Sequence, residues 1–350
     1  MKVNLKIGDL KPKLPIIQGG MGVGVSLSSL ASSVANCGGI GIISGAQIGF
    51  REEDFAKNPL EANKRALAKE IRKAKELAPN GIIGLNLMVA MQNYDEFVKV
   101  AVKEKIDLII SGAGLPMDLP ELVKGSSVKI VPIVSSLRAA KLIMRRWMKK
   151  SLRLPDAIVV EGPLAGGHLG FLKEDLVDDT SQSLTEIVSE VVDHLKKEKL
   201  DIPVIGAGGI HSVSDIKEVI EAGASGVQIA TRFVATHECD ASDEFKQAYL
   251  NSRKEDIKIM MSPVGLPGRA IENEFLKKVE MGNKVKIDKC YKCIRKCNPA
   301  ETPFCITKAL VDSVEGRTED GLVFVGAKAY MLDRMVSVKE LMKELEQAFV

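Results

Sequence analysis

Eight short apolar runs recur along this chain, each followed by a longer stretch, and that alternation restricts the fold more than any other feature. The runs cover residues 15–18, 39–44, 82–86, 108–111, 129–134, 157–161, 203–207 and 226–230. Each is too short for a helix and is bounded by Gly, Pro, Ser or Asn, so each reads as a buried strand. Between them, residues 60–78, 94–104, 137–149, 184–197 and 213–222 carry Lys and Glu on one face and Leu, Ile, Val or Ala on the other, the pattern of surface helices. Right-handed crossovers keep successive strands parallel and adjacent, so eight such units close into an α/β-class (β/α)8 TIM barrel. An open doubly wound sheet is the alternative.

Past the eighth unit the character changes. Residues 252–289 are charged and loop-rich, a cysteine cluster follows, and residues 337–350 read as a terminal helix. We therefore expect a barrel over 1–251 and a cysteine-containing C-terminal extension over 252–350 that packs on it. Only 4% of the residues are aromatic against 45% hydrophobic, which suits strands buried on both faces. The net charge of +3, from 49 basic and 46 acidic residues, gives no argument for a nucleic-acid partner. Residues 1–10 lack the apolar run of a signal peptide, and no apolar run approaches a membrane span, so a cytoplasmic protein without a membrane partner is expected.

In such barrels the chemistry sits in the loops after the strands' C-terminal ends. The seventh run ends in Gly206-Ala207-Gly208-Gly209-Ile210, and the eighth in Gln228-Ile229-Ala230-Thr231-Arg232-Phe233. Adjacent glycines let backbone N–H groups converge on an oxyanion, so these two loops are expected to hold a phosphate; two ordinary tight turns are the plainer reading. The first loop, Gln18-Gly19-Gly20-Met21-Gly22-Val23-Gly24, brings backbone close to something flat or bulky. The sixth, Glu161-Gly162-Pro163-Leu164-Ala165-Gly166-Gly167-His168-Leu169-Gly170, sets one of only four histidines just past a strand end. His168 there can exchange protons near neutral pH, with His211 and His237 as weaker competitors.

These segments, together with Pro15-Ile16-Ile17 and Gly84-Leu85-Asn86, resemble the nitronate monooxygenases, a family that also contains the FMN-dependent enoyl-acyl-carrier-protein reductases. The resemblance covers about residues 12–275, and Ala165-Gly166-Gly167-His168 is its most specific element. It implies one noncovalently bound FMN, its phosphate held by Gly208, Gly209 and Thr231 and its ring lying over the first loop near Met21, Gly22 and Asn86. Gly20, Glu161, Gly166, Gly167, Ala207, Gln228 and Ala230 complete the expected cofactor set, and His168 maps onto the catalytic histidine. Ala230 departs from the family's usual glycine but retains the N–H donor. The activity implied is oxidation of an alkyl nitronate to a carbonyl compound and nitrite. The alternative is an enoyl or other ene-reductase that takes hydride from NAD(P)H and acts on an enoyl thioester.

Cys290, Cys293, Cys297 and Cys305 form C-x2-C-x3-C-x7-C. Four thiols in one short stretch favour a metal, because little chain entropy opposes gathering them. We expect a [4Fe–4S] cluster in preference to zinc, since structural zinc usually takes two separated cysteine pairs. Such a cluster beside a flavin would favour the reductase. Cys37 and Cys239 lack a partner pattern and read as small buried residues. Residues 262–269 form a shaped Pro/Gly loop whose Arg269 is expected to meet a phosphate or carboxylate or to make an ion pair, and 323–327 is expected to return to the barrel face. Oligomeric state stays open, with a homodimer as one candidate.

Overall fold

The computed structural model describes residues 3–350, so Met1 and Lys2 of the N-terminal stretch lie outside it. In chain order the strands are β1 (Ile16–Gln18), β2 (Ile40–Ser44), β3 (Ile82–Met88), β4 (Leu108–Gly112), β5 (Lys129–Val134), β6 (Ile158–Glu161), β7 (Gly167–His168), β8 (Val204–Ala207), β9 (Gly226–Ile229), β10 (Ile257–Met261) and β11 (Pro267–Ile271). β1 to β6, β8 and β9 form a closed parallel barrel, sealed where β9 pairs with β1 through Ile16–Val227 and Gln18–Ile229. The expected barrel is present and the open sheet is excluded.

Side-chain alternation along the strands divides the core into two layers. Ile17, Ile40, Ile42, Leu108, Ile110, Val131, Val159 and Ile205 fill the barrel interior, joined by Leu5 and Ile7 from the N-terminal segment. Their neighbours Ile16, Ile43, Ile83, Leu85, Ile109, Ile130, Ile158 and Val204 point outward against the helices. A strand buried on both faces must be apolar at every position, which is why the runs showed no polar alternation. Full burial of each such side chain contributes roughly 1.5–3 kcal/mol.

The outer layer contains α1 (Ser28–Asn36), α2 (Pro59–Leu77), α3 (Tyr94–Lys103), α4 (Leu119–Leu122), α5 (Leu137–Ser151), α7 (Leu184–Lys197) and α8 (Val213–Glu221), while the short α6 (Lys173–Val177) lies beside β10. Capping boxes at Ser183/Glu186 and Ser212/Asp215 start α7 and α8 by satisfying backbone N–H groups that have no helical partner. After β9 come α9 (Thr231–Val234), α10 (Asp243–Leu250), α11 (Glu274–Glu280), α12 (Ile306–Val314) and α13 (Val338–Glu346). The last of these is the expected terminal helix. Its Val338, Leu341, Met342 and Leu345 join the same outer core as α1, so the end of the chain fills a place in the helical ring. Among the described residues no helix is long and apolar enough to cross a membrane.

The segment after α10 builds the lid over the barrel mouth. β10 and β11 form an antiparallel hairpin, and β11 also pairs with β7 through Gly268–His168 and Arg269–Gly167. The loop that carries His168 is thus held as a strand edge by residues a hundred positions later. Phe275, Leu276, Phe304, Ile306 and Leu322 make a separate small core under this lid.

Candidate active site

One cavity of about 230 Å³ opens at the C-terminal end of the barrel. Every expected cofactor and catalytic residue lines it: Gly20, Met21, Gly22, Asn86, Glu161, Gly166, Gly167, His168, Ala207, Gly208, Gly209, Gln228, Ala230 and Thr231. Five separate loops converge there because parallel strands all present their C-terminal ends to one face. The Met21 N–H donates to Ser26 Oγ at 2.8 Å and the Ser44 N–H to Ser26 O at 3.0 Å, fixing the first loop against β2.

The Gly208-Gly209 turn has the geometry of an anion cradle. Both residues lie in the left-handed region, with φ of 93° and 78°. A Cβ at Gly208 would fall 2.9 Å from the Ala165 Cβ and 3.0 Å from Gly162 O, and one at Gly209 would fall 2.7 Å from the Leu164 Cβ. Only glycine fits both the backbone angle and the space, so the turn keeps its amides beside the start of α9. A flavin phosphate matches this end of the cavity, and the glycine-rich first loop with Asn86 gives a flat ring room at the other.

His168 stands on the cavity wall where it can meet a substrate. Its Nε2 is 2.8 Å from Ser262 Oγ, and Phe324 packs edge-on against the ring with centroids 4.9 Å apart. Enclosure of the imidazole pushes its pKa down to about 4, so the ring is neutral at ordinary pH. Glu161, at the end of β6, is pushed up to about 7 by burial. His211 also lines the cavity, and burial, with Arg232 next in size, lowers its pKa; His237 does not line it.

Several functional residues fall outside the sequence expectation. Ser262, Phe324 and Lys328 reach the site from the lid; the only hint was the Pro/Gly density of 262–269 and the apolar run at 323–327. That run does return to the barrel face: the Val325 N–H donates to Arg269 O at 3.0 Å and the Ala327 N–H to Leu164 O at 3.1 Å. Arg269 has neither of its expected partners. Its guanidinium is buried and donates from Nη1 to Pro163 O at 2.8 Å and to Ala165 O, clamping the loop that leads to His168. Burial lowers its pKa to about 10.

The metal expected at the cysteine loop is not shown. Among the described residues no three His, Cys, Asp or Glu side chains gather into a metal site. Cys290 is exposed, whereas Cys293 and Cys297 pack against the small lid core. The loop is tied down by protein contacts instead: the Gln92 N–H donates to Cys293 O at 2.9 Å, and the Arg295 N–H to Ala90 O at 3.0 Å. Burial pushes the Cys293 thiol up to about 11 and raises Cys297 and Cys305 as well, and the nearby cysteines add to each shift. Cys239 is buried as expected, its Sγ donating to Val25 O at 3.3 Å, and Cys37 is half-buried.

Three comparisons place this site among known proteins. A Rhodococcus jostii protein named (3aS,4S,5R,7aS)-5-hydroxy-7a-methyl-1-oxo-octahydro-1H-indene-4-carboxyl-CoA dehydrogenase is 25% identical over 76% of this chain, a match spanning 65% of that relative's length. A Staphylococcus saprophyticus protein named probable nitronate monooxygenase is 28% identical over 80% of this chain and 81% of its own. The solved structure of FabK from Thermotoga maritima superposes with a TM-score of 0.74 at 26% identity, covering 97% of this chain and 93% of that one. The family model described as nitronate monooxygenase matches residues 4–348, and the chain accordingly belongs to the nitronate monooxygenase family of oxidoreductase enzymes.

Proposed function

We propose that this protein is an FMN-dependent oxidoreductase that converts small alkyl nitronates to a carbonyl compound and nitrite, with molecular oxygen as the oxidant. The observation that carries this reading is the neutral His168 ring held at Nε2 by Ser262 on the wall of a cavity that the Gly208-Gly209 turn also lines. When bound, FMN supplies the electron transfer that the side chains cannot.

The chain's own part is binding, orientation and proton placement. The Val264 N–H donates to Ser262 Oγ at 3.3 Å, so the serine hydroxyl hydrogen is free to point at His168 Nε2. That bond favours the tautomer with its proton on Nδ1, and the ring then offers a donor to an anionic nitronate oxygen. An uncharged nitroalkane would need the other tautomer, with the ring as base. Gly208, Gly209, Ala230 and Thr231 would hold the phosphate by backbone N–H groups and the threonine hydroxyl, while Gly20, Met21, Gly22 and Asn86 would flank the ring system. Glu161, Gly166, Gly167, Ala207 and Gln228 would line the stretch between. We also propose the division into a barrel over 1–251 and a C-terminal extension over 252–350 that carries the cysteine loop and packs its terminal helix on the barrel.

The enoyl reductase drew its sequence support from the shared motifs and from a cluster beside the flavin, and no such cluster is shown. The likeness to FabK keeps it as the second reading. Anaerobic titration of the flavin-loaded protein separates the two. Bleaching of the flavin absorbance by a short alkyl nitronate, with nitrite released on admitting air, is expected. Bleaching by NADH or NADPH but not by nitronate would overturn nitronate oxidation.

A further inference from the structure

The phosphate end of the cavity has an electrostatic problem that the glycine cradle does not solve. Asp215, in the first turn of α8, accepts the His211 and Ser212 N–H groups on Oδ2 at 2.8 and 2.9 Å. A carboxylate already sits where the helix would otherwise attract an anion, and two negative groups this close repel. Lys328 lies on the other side of that carboxylate, its Nζ 2.7 Å from Asp215 Oδ1. It is the only lysine or arginine among the described residues that line the cavity. The nearby Arg232 is committed elsewhere: it donates to Glu344 at 3.0 and 2.9 Å and to His211 O at 2.6 Å. The chain places Lys328 over the cavity by docking the preceding residues on the sixth loop, through the Ala327 N–H to Leu164 O.

We infer that Lys328, delivered from the C-terminal segment, is the cation that makes this cavity accept a phosphomonoester, offsetting Asp215 and giving the cofactor phosphate its single side-chain counter-charge. The inference rests on the flavin reading above and assigns a binding residue to it. It makes the site selective for a phosphorylated flavin over the unphosphorylated one, because backbone amides alone bring no net positive charge. It also explains why Lys328 keeps an acidic partner: paired with Asp215, its ammonium stays aimed at the phosphate end instead of extending into solvent.

The test is fluorescence titration of the full-length apoprotein with FMN and, separately, with riboflavin. The wild type, Lys328→Met, Lys328→Arg and Asp215→Asn are compared across a salt series. Loss of one charge-assisted contact predicts that Lys328→Met weakens FMN binding about tenfold or more. Riboflavin binding should stay at the wild-type value, and the salt dependence for FMN should flatten. Lys328→Arg should retain most of the FMN affinity, and Asp215→Asn should bind FMN at least as tightly as the wild type. An equal loss of FMN and riboflavin in Lys328→Met would make the residue structural and overturn the inference. So would an FMN affinity unchanged in that variant, while the wild type's binding of FMN left the cofactor reading standing. A wild type that bound neither flavin would overturn the cofactor reading and this inference with it.

Discussion

His168 Nε2 and Ser262 Oγ lie 2.8 Å apart although 94 residues separate them in the chain. The pairing exists because β7 and β11 are neighbours in the lid sheet, with His168 opposite Gly268. The serine hydroxyl therefore meets the imidazole from the same hairpin that carries Arg269.

Ser262→Ala should lower kcat on the order of tenfold to a hundredfold, since a misoriented catalytic ring costs rate without abolishing the site. Flavin affinity should not change, because Ser262 is not among the residues that line the main cavity. Ser262→Thr should recover most of the rate. Steady-state kinetics beside a flavin titration checks this, and a parallel loss of flavin would refute the positioning role.

His168→Ala should retain flavin and lose turnover by a factor on the order of 10² or more. With the folded-state pKa pushed down to about 4, the ring binds its proton only below that point, whereas a free imidazole does so below about 6.5. The acid limb of kcat/KM due to this residue is therefore expected near pH 4, with no His168 limb between pH 5 and 7. An acid limb near 6.5 that vanished in the alanine variant would show the ring to be solvated.

Glu161→Gln should stabilise the protein above pH 7. The carboxyl's folded-state pKa is raised to about 7 from 4.5, so between those values the folded state holds a proton that the unfolded chain has released. Its contribution is most favourable below pH 4.5 and is lost as pH rises through 7. At roughly 1.4 kcal/mol per unit, the ceiling on the gain at pH 8 is about 3 kcal/mol, shrinking towards zero below pH 4.5. Denaturant melts of both proteins at pH 5 and pH 8 check the sign.

Arg269→Met should cost stability by about 1–3 kcal/mol, the penalty for a buried carbonyl left without its donor. It frees Pro163 O and Ala165 O just ahead of His168, so a fall in kcat should accompany the lowered melting temperature. Unchanged kcat in a destabilised variant would show that the sixth loop holds its shape without the clamp.

Much of this molecule was legible from local pattern. A strand buried on both faces must be apolar throughout, so the eight runs marked the barrel directly, and β3, β5 and β9 each lie within two residues of the expected bounds. Glycines 208 and 209 were legible for a similar reason, because a crowded left-handed turn admits nothing else. The residues expected to bind cofactor and to catalyse share one cavity because barrel topology sends every βα loop to the same end.

What the sequence did not determine were the partners brought together across long separations. Cysteine spacing states which thiols are near in the chain, but not that Cys293 and Cys297 also pack against a small apolar core. Arg269 read as a ligand for an anion until the lid packed it onto two backbone carbonyls. Nothing local told what Ser262 or Lys328 would meet, since a hydroxyl or an ammonium gains its role from what the fold sets within about 3 Å of it. Periodicity and backbone restriction are properties of neighbouring residues and can be read along the chain; the proton, the clamp and the counter-charge are properties of contacts, and only the tertiary structure decided those.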